Sequence, residues 1–206
     1  MSKSSYKYHD AKPTWSNGYL WPPLQKFVRS QDWRDRRAFD LGCGNGATSE
    51  MLHSEGFAVT GVDLSESGIG VARSSFPGCR FEVGSVYDNL AAEFGTFPLV
   101  VSLEVIEHCM DPRGFTETFL NLIAPGGVGF LSTPYHSYLK NLALAVTGKM
   151  DAHFTALWDG GHVKFFSIKT LSVLLRENGA NDLHFLRVGR IPSLAKSMVC
   201  IVRKAA

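Results

Sequence analysis

The run Phe39-Asp40-Leu41-Gly42-Cys43-Gly44-Asn45-Gly46 constrains this chain more than any other stretch. It reads as a strand end followed at once by glycines at alternate positions, and Ala47 to Leu52 behind it has helix-forming character. Glycines there let the backbone turn sharply and bring main-chain N–H groups close to a ligand. The acid matters as much as the glycines. Asp40 stands shortly before the first glycine, where a dinucleotide site carries an apolar residue and where a diphosphate would be repelled. The spacing G-x-G-x-G also departs from the dinucleotide fingerprint G-x-G-x-x-G. An acid beside a glycine turn suits a ligand with a cationic amino-acid end and a nucleoside end.

From Arg37 onward the pattern alternates strand and helix. Ala38 to Leu41, Phe57 to Asp63, Arg80 to Val83, Pro98 to Ser102 and Val128 to Ser132 read as strands. Thr48 to Ser54 (ended by Gly56), Ser67 to Ser75 and Phe115 to Ile123 (stopped by Pro125-Gly126-Gly127) read as helices. Pro98 to Ser102 is almost wholly apolar, as a strand buried on both faces must be. Such alternation predicts a doubly wound α/β domain with a mostly parallel, Rossmann-like sheet. After a helix from Ser167 to Asn178 closed by Gly179, Leu183 to Val188 and Met198 to Arg203 read as an antiparallel C-terminal strand pair. Residues 1–206 are expected to form a single domain, with an N-terminal arm and helix over 1–36 and a helical lid insertion over 135–166. Pro22 and Pro23 suit the first turn of that N-terminal helix.

Composition narrows the partners. A formal charge of +2 on 206 residues gives no basic field, so nucleic acid is not an expected partner. Hydrophobic content of 45% and charged content of 19% are globular values. Cys43, Cys79, Cys109 and Cys200 form no C-x-x-C pair, which argues against a disulfide framework and a thiolate zinc site. Met1 to Ser5 is polar and lacks a leader's apolar region, and no apolar run reaches a membrane span. A cytoplasmic monomer or homodimer is the expectation.

In a doubly wound sheet, ligands sit at the carboxyl ends of the strands beside the point where strand order reverses. The glycine turn falls there, and so does Asp63, which ends the second strand about 20 residues on and is placed to bond ribose hydroxyls. The alternative for Asp63 is a helix N-terminal turn residue. A cationic amino-acid end, a ribose and an adenine together describe S-adenosylmethionine. Over residues 37–133 the chain resembles the class I S-adenosylmethionine-dependent methyltransferases. The resemblance implies that Asp40, Gly42 and Gly44 surround the methionine portion and that Asp63 holds the ribose. It further implies that Leu64 packs on the adenine and that Val83 to Val86, Ser85 and Val86 included, edge it. Ser85 departs from the family, many members of which have an acid there.

Ser102 to Pro112 follows the buried fourth strand and carries Glu104, Glu107 and His108. If the turn is helical, these three lie at i, i+3 and i+4 on one face. Two carboxylates and an imidazole beside a cofactor can hold a divalent cation through mixed oxygen and nitrogen ligands. Equally, His108 can act as a general base oriented by the acids, or serve only in packing. The segment is similar to the Glu-x-x-Glu-His stretch of the ubiquinone-biosynthesis O-methyltransferases. In that family too, the counterpart of Ser132-Thr133 is followed by an inserted amphipathic helix and a Gly-x-His-x-x-x-Phe-like stretch, here Gly160 to Phe166. That resemblance implies a divalent cation at the acid-acid-His group and substrate access at a membrane through the insertion.

The insertion is crowded with Tyr135, His136, Tyr138, His153, Phe154, Trp158, His162, Phe165 and Phe166. It reads as a substrate lid, a helix packed on the core, or a dimer surface. His162, between Gly161 and Val163, is the second candidate base, and His136 the third. Leu139, Leu142, Ala143, Val146 and Met150 fall at helical spacing, and this stripe admits peripheral membrane contact, although only Lys140 and Lys149 accompany it. The aromatic residues among 1–20 fit a segment folded over a ligand.

Together these features predict methyl transfer to a small-molecule acceptor, with a hydroxyl oxygen favoured over nitrogen or carbon. The competing readings are a non-catalytic S-adenosylmethionine-binding subunit acting with a partner and a dinucleotide oxidoreductase. Asp40 and the glycine spacing disfavour the latter.

Overall fold

A computed structural model describes residues 6–206. Met1 to Ser5, read above as lacking a leader's apolar region, lie outside the described residues. In chain order the elements are α1 (Asn17–Arg29), β1 (Arg37–Leu41), α2 (Ala47–Ser54), β2 (Ala58–Asp63), α3 (Glu66–Ser75), β3 (Arg80–Val83) and α4 (Leu90–Phe94). There follow β4 (Phe97–Leu103), α5 (Pro112–Leu122), β5 (Ile123–Pro134), α6 (Tyr138–Val146), α7 (Met150–Phe154), α8 (Ile168–Glu177), β6 (Asp182–Val188) and β7 (Ser197–Arg203).

The strands form one sheet in the order β3-β2-β1-β4-β5-β7-β6. The first five are parallel, and β7 runs antiparallel to both β5 and β6. This is the doubly wound, Rossmann-like sheet with an antiparallel C-terminal pair that the sequence predicts. Side-chain alternation builds a core on each face. Phe39 and Leu41 of β1 and Val100 of β4 join one cluster with Phe115, Phe119 and Leu175. Ala38 of β1 and Leu99 and Val101 of β4 join another with Leu20, Leu24 and Leu52. Each fully buried Phe or Leu there contributes about 1.5–3 kcal/mol. Strand order reverses between β1 and β4, and the Ser102 hydroxyl bridges them by donating to the Leu41 carbonyl at 2.7 Å. That junction opens the crevice for a ligand.

Three local expectations fail. Helix α1 begins at Asn17, so Pro22 and Pro23 lie inside it and not in its first turn. The Thr14 hydroxyl, 2.6 Å from the Asn17 side-chain oxygen, organises the earlier start. Helix α5 ends at Leu122, before Pro125-Gly126-Gly127, and those three residues belong to β5. There the register against β4 shifts between Phe97 and Leu99, and a side chain at Gly127 would come within 2.9 Å of the Ala124 carbonyl and 3.1 Å of those of Phe97 and Pro98. Short α4 was not predicted at all. It is capped by the Asn89 side chain, which accepts from the Ala92 N–H, and is anchored by buried Leu90.

The insertion contains α6 and α7, neither with a buried residue. Its predicted stripe exists, but Leu139, Leu142, Val146 and Met150 are all exposed. A bridge between Tyr135 and Phe166 closes the segment at its base. Among the described residues no helix is long and apolar enough to cross a membrane.

Candidate active site

The glycine turn after β1 is fixed by β2. The Gly42 and Cys43 N–H groups both donate to the Val62 carbonyl. Gly44 N–H donates to Oδ2 of Asp63 at 2.8 Å, while Oδ1 accepts from Ser65 N–H at 2.7 Å. Asp63 therefore holds the turn itself. Burial pushes its carboxyl up, and the two N–H groups offset part of that. Gly46 opens α2 with φ 82°, and a methyl group there would come within 2.8 Å of Ala72 and Phe81. Asp40 is buried and accepts from the Ser49 hydroxyl at 2.7 Å. Burial pushes its carboxyl up to about 7, against the stabilising Ser49 bond.

A cavity of about 870 Å³, within the usual range for small-ligand sites, opens over this turn. All of Asp40, Gly42, Gly44, Asp63, Leu64, Ser85 and Val86 line it. Glu104, His108 and His162 line the same cavity. Tyr6, Tyr8 and Trp158 also line it, and Tyr6 and Trp158 rings meet at 5.8 Å between centroids, joining arm to insertion.

The acid-acid-His segment does not form the predicted helical face. Glu104 has φ 57° and precedes a three-residue turn of tight helix, Ile106–His108. Its carboxylate turns away to accept from the hydroxyls of Ser132 at 2.8 Å and Ser197 at 2.9 Å. Burial raises it to about 7, against those two bonds. Glu107 is fully buried, and neither of its carboxylate oxygens has a hydrogen-bond partner among the described residues. The nearby Thr133 hydroxyl favours its ionised form without reaching hydrogen-bond geometry. Burial, then the charge of Glu104, drives the Glu107 carboxyl well above its ordinary value.

The Glu107 carbonyl accepts from Val163 N–H at 2.8 Å and Lys164 N–H at 3.0 Å, stitching the insertion to this turn. His162 is thereby brought to His108, with ring centroids 4.8 Å apart. One ligand atom from each of Glu107, His108 and His162 falls within 4.8 Å of the others. Of the residues predicted as metal ligands, Glu107 and His108 thus meet, joined by His162, while Glu104 is not in that group. Burial lowers both imidazoles, that of His162 to about 4, so both are neutral near pH 7.

His136 does not reach the cavity. It is buried against His153, Phe154 and Phe165, with Nδ1 at 3.3 Å from the Asn141 side-chain oxygen. Sequence reasoning missed Ser197, which no motif marks. It singled out neither Tyr8 nor Trp158, although both stand in stretches marked by their aromatic density.

Residues 19–184 match the family described as methyltransferase domain. The chain is similar to the ubiquinone biosynthesis O-methyltransferase of Caulobacter sp. (strain K31), 39% identical over 126 residues, 59% of this chain and 48% of that protein. It is 30% identical over 172 residues to the protein of that name from Aromatoleum aromaticum, covering 78% of this chain and 74% of that one. The chain thus spans about half the length of the first of these relatives. In fold it is similar to an S-adenosylmethionine-dependent methyltransferase from Mesorhizobium loti, with a TM-score of 0.69 at 20% identity over 89% of this chain and 97% of that one.

Proposed function

The chain belongs to the methyltransferase domain family, and from that premise we propose that it moves the methyl group of S-adenosylmethionine to a hydroxyl oxygen of a small acceptor. The observation that carries this reading is one cavity lined both by the glycine turn with two acids and by neutral His108 and His162. Bound there, the cofactor supplies an electrophilic methyl on a sulfonium.

The chain's own work is to hold, orient and dehydrate. Asp40 suits the cofactor's ammonium end, and Asp63 has carboxylate lone pairs left for ribose hydroxyls after its two N–H bonds. Leu64, Ser85 and Val86 suit the adenine edge. His108 Nδ1 faces the Gly161 carbonyl at 3.2 Å, so it carries the proton there and Nε2 is free to accept one from the acceptor's hydroxyl. Such help is worth ~10²–10⁴ in rate. The insertion, stitched at Glu107 and meeting Tyr6 through Trp158, acts as a lid that excludes water.

Two imidazoles and a buried carboxylate without a partner fit a divalent cation, and Glu107, His108 and His162 would hold it. When bound, a cation there would take the His108 Nε2 lone pair, replacing its role as base, and would itself acidify an acceptor hydroxyl.

The test is incubation of the chain with methyl-labelled S-adenosylmethionine and a panel of hydroxylated aromatics, matched amines and carbon acids. Label on oxygen is expected. Label on nitrogen or carbon alone would overturn the hydroxyl reading. Cofactor binding without turnover on any acceptor would favour a subunit that acts through a partner.

A further inference from the structure

S-adenosylmethionine presents three charges to its site at neutral pH: a sulfonium, an ammonium and a carboxylate. Asp40, Asp63, Glu104 and Asp159 line the cavity, and no Lys or Arg stands among its described lining residues. The acids suit the two cationic groups. The cofactor's carboxylate meets no cation, so neutral donors must hold it against nearby acids.

The donors of the glycine turn itself are already engaged. The Gly42 and Cys43 N–H groups serve the Val62 carbonyl, and Gly44 N–H serves Asp63. The Asn45 amide donates to the Asp10 and Lys12 carbonyls, each at 2.9 Å, which pins the N-terminal arm across the turn.

Tyr8 stands out. Its ring lies between the glycine turn and the start of α3: a methyl at Gly44 would come within 2.5 Å of its hydroxyl oxygen, and one at Gly68 within 2.9 Å of its ring. Its backbone N–H donates to the Ser67 hydroxyl at 3.1 Å, and the Ser65 hydroxyl donates to the Tyr6 carbonyl at 2.9 Å. The phenol is therefore seated by α3 in the cavity that Asp63 and Asp40 also line, within reach of their charge, and its hydroxyl makes no hydrogen bond to a described residue. Burial first, then the charge of Asp63, holds it protonated, so it remains a donor.

We propose that Tyr8 is a cofactor-binding residue, its hydroxyl donating to the methionyl carboxylate of S-adenosylmethionine. The N-terminal arm is then part of the cofactor site and not a tail beside it. This rests on S-adenosylmethionine being the cofactor.

The test compares wild-type chain and Tyr8→Phe by calorimetry with two probes, S-adenosylhomocysteine and 5′-methylthioadenosine, which keeps the nucleoside but lacks the amino-acid end. Tyr8→Phe is expected to weaken S-adenosylhomocysteine by about ten- to a hundredfold, the range for a hydrogen bond to a charged group. Binding of 5′-methylthioadenosine should stay within about twofold, which also shows that the variant is folded. Equal affinity of both proteins for S-adenosylhomocysteine would overturn the proposal. So would a parallel loss for both probes, which places the hydroxyl on the ribose or its role in arm packing. If the wild-type chain bound neither probe, the cofactor reading itself would fall, and this inference with it.

Discussion

The His108 Nδ1 atom lies 3.2 Å from the carbonyl oxygen of Gly161, joining the turn after β4 to the far end of the insertion. Two residues separated by 53 positions in sequence thus fix one imidazole's tautomer. The carbonyl can only accept, so the proton resides on Nδ1 and the lone pair on Nε2.

From that tautomer a kinetic outcome follows. His108→Ala is expected to lower kcat by about 10²–10⁴-fold, the usual worth of a general base. Affinity for S-adenosylhomocysteine should not change, because a general base acts on the acceptor's hydroxyl and not on the cofactor. Steady-state kinetics alongside calorimetry checks both parts. An unchanged kcat would pass the base role to His162.

Acid should loosen the insertion before the sheet. His136 and His162 are lowered to about 4, chiefly by burial, and His108 and His153 are also lowered. At these four imidazoles, near 6.5 when unfolded, the unfolded chain binds more protons than the folded one between about pH 4 and 6.5. The imidazoles' contribution to stability therefore rises with pH across that window and is lost as pH falls through it. For deeply buried His136 the loss reaches up to about 3 kcal/mol. Tryptophan fluorescence of a chain that keeps Trp158 as its only tryptophan should change between pH 6.5 and 4 ahead of far-ultraviolet circular dichroism, and His136→Gln should flatten the change. Coincident transitions would contradict the idea.

Much of this was legible because it is local. A glycine turn, an acid about 20 residues later and strands buried on both faces each carry their own sequence signal. Pro22 and Pro23 misled because a first-turn rule was applied where the Thr14 and Asn17 side chains start α1 earlier. The Glu104 error has a different origin. One left-handed backbone step at φ 57° turned its side chain toward Ser132 and Ser197, and no residue type announces such a step in a glutamate. His162 could be named from its glycines, but its meeting with His108 depends on two N–H groups finding the Glu107 carbonyl. Ser197 acts from β7, 93 positions from Glu104, and only the sheet brings it near.

Asp63 separates binding from stability. Its burial outweighs the two N–H bonds it accepts, since the net effect raises its carboxyl. An amide at this position would still accept from one N–H and would avoid the cost of a buried charge. Asp63→Asn is expected to leave stability within about 1 kcal/mol while weakening S-adenosylhomocysteine by about ten- to a hundredfold. Thermal melts and calorimetry on one preparation check this, and undiminished affinity would remove Asp63 from the ribose.

Glu107 carries the sharpest electrostatic consequence. A carboxylate buried without a hydrogen-bond partner costs several kcal/mol, so it takes up either a proton or a cation. Its folded-state value is raised, so without a cation this carboxyl holds its proton in the folded chain above about pH 4.5, where it is ionised in the unfolded one. This group's contribution to stability then declines as pH rises, by the same linkage. A divalent cation held with His108 and His162 would reverse that decline. Chelator-treated wild-type chain should therefore gain melting temperature at pH 8 on adding manganese or zinc. Glu107→Gln should start from a higher melting temperature than the chelated wild type and show no gain with either ion. Equal gains in both proteins would exclude Glu107 as a ligand. No gain in the wild type would leave its carboxyl as a buried acid that keeps its proton.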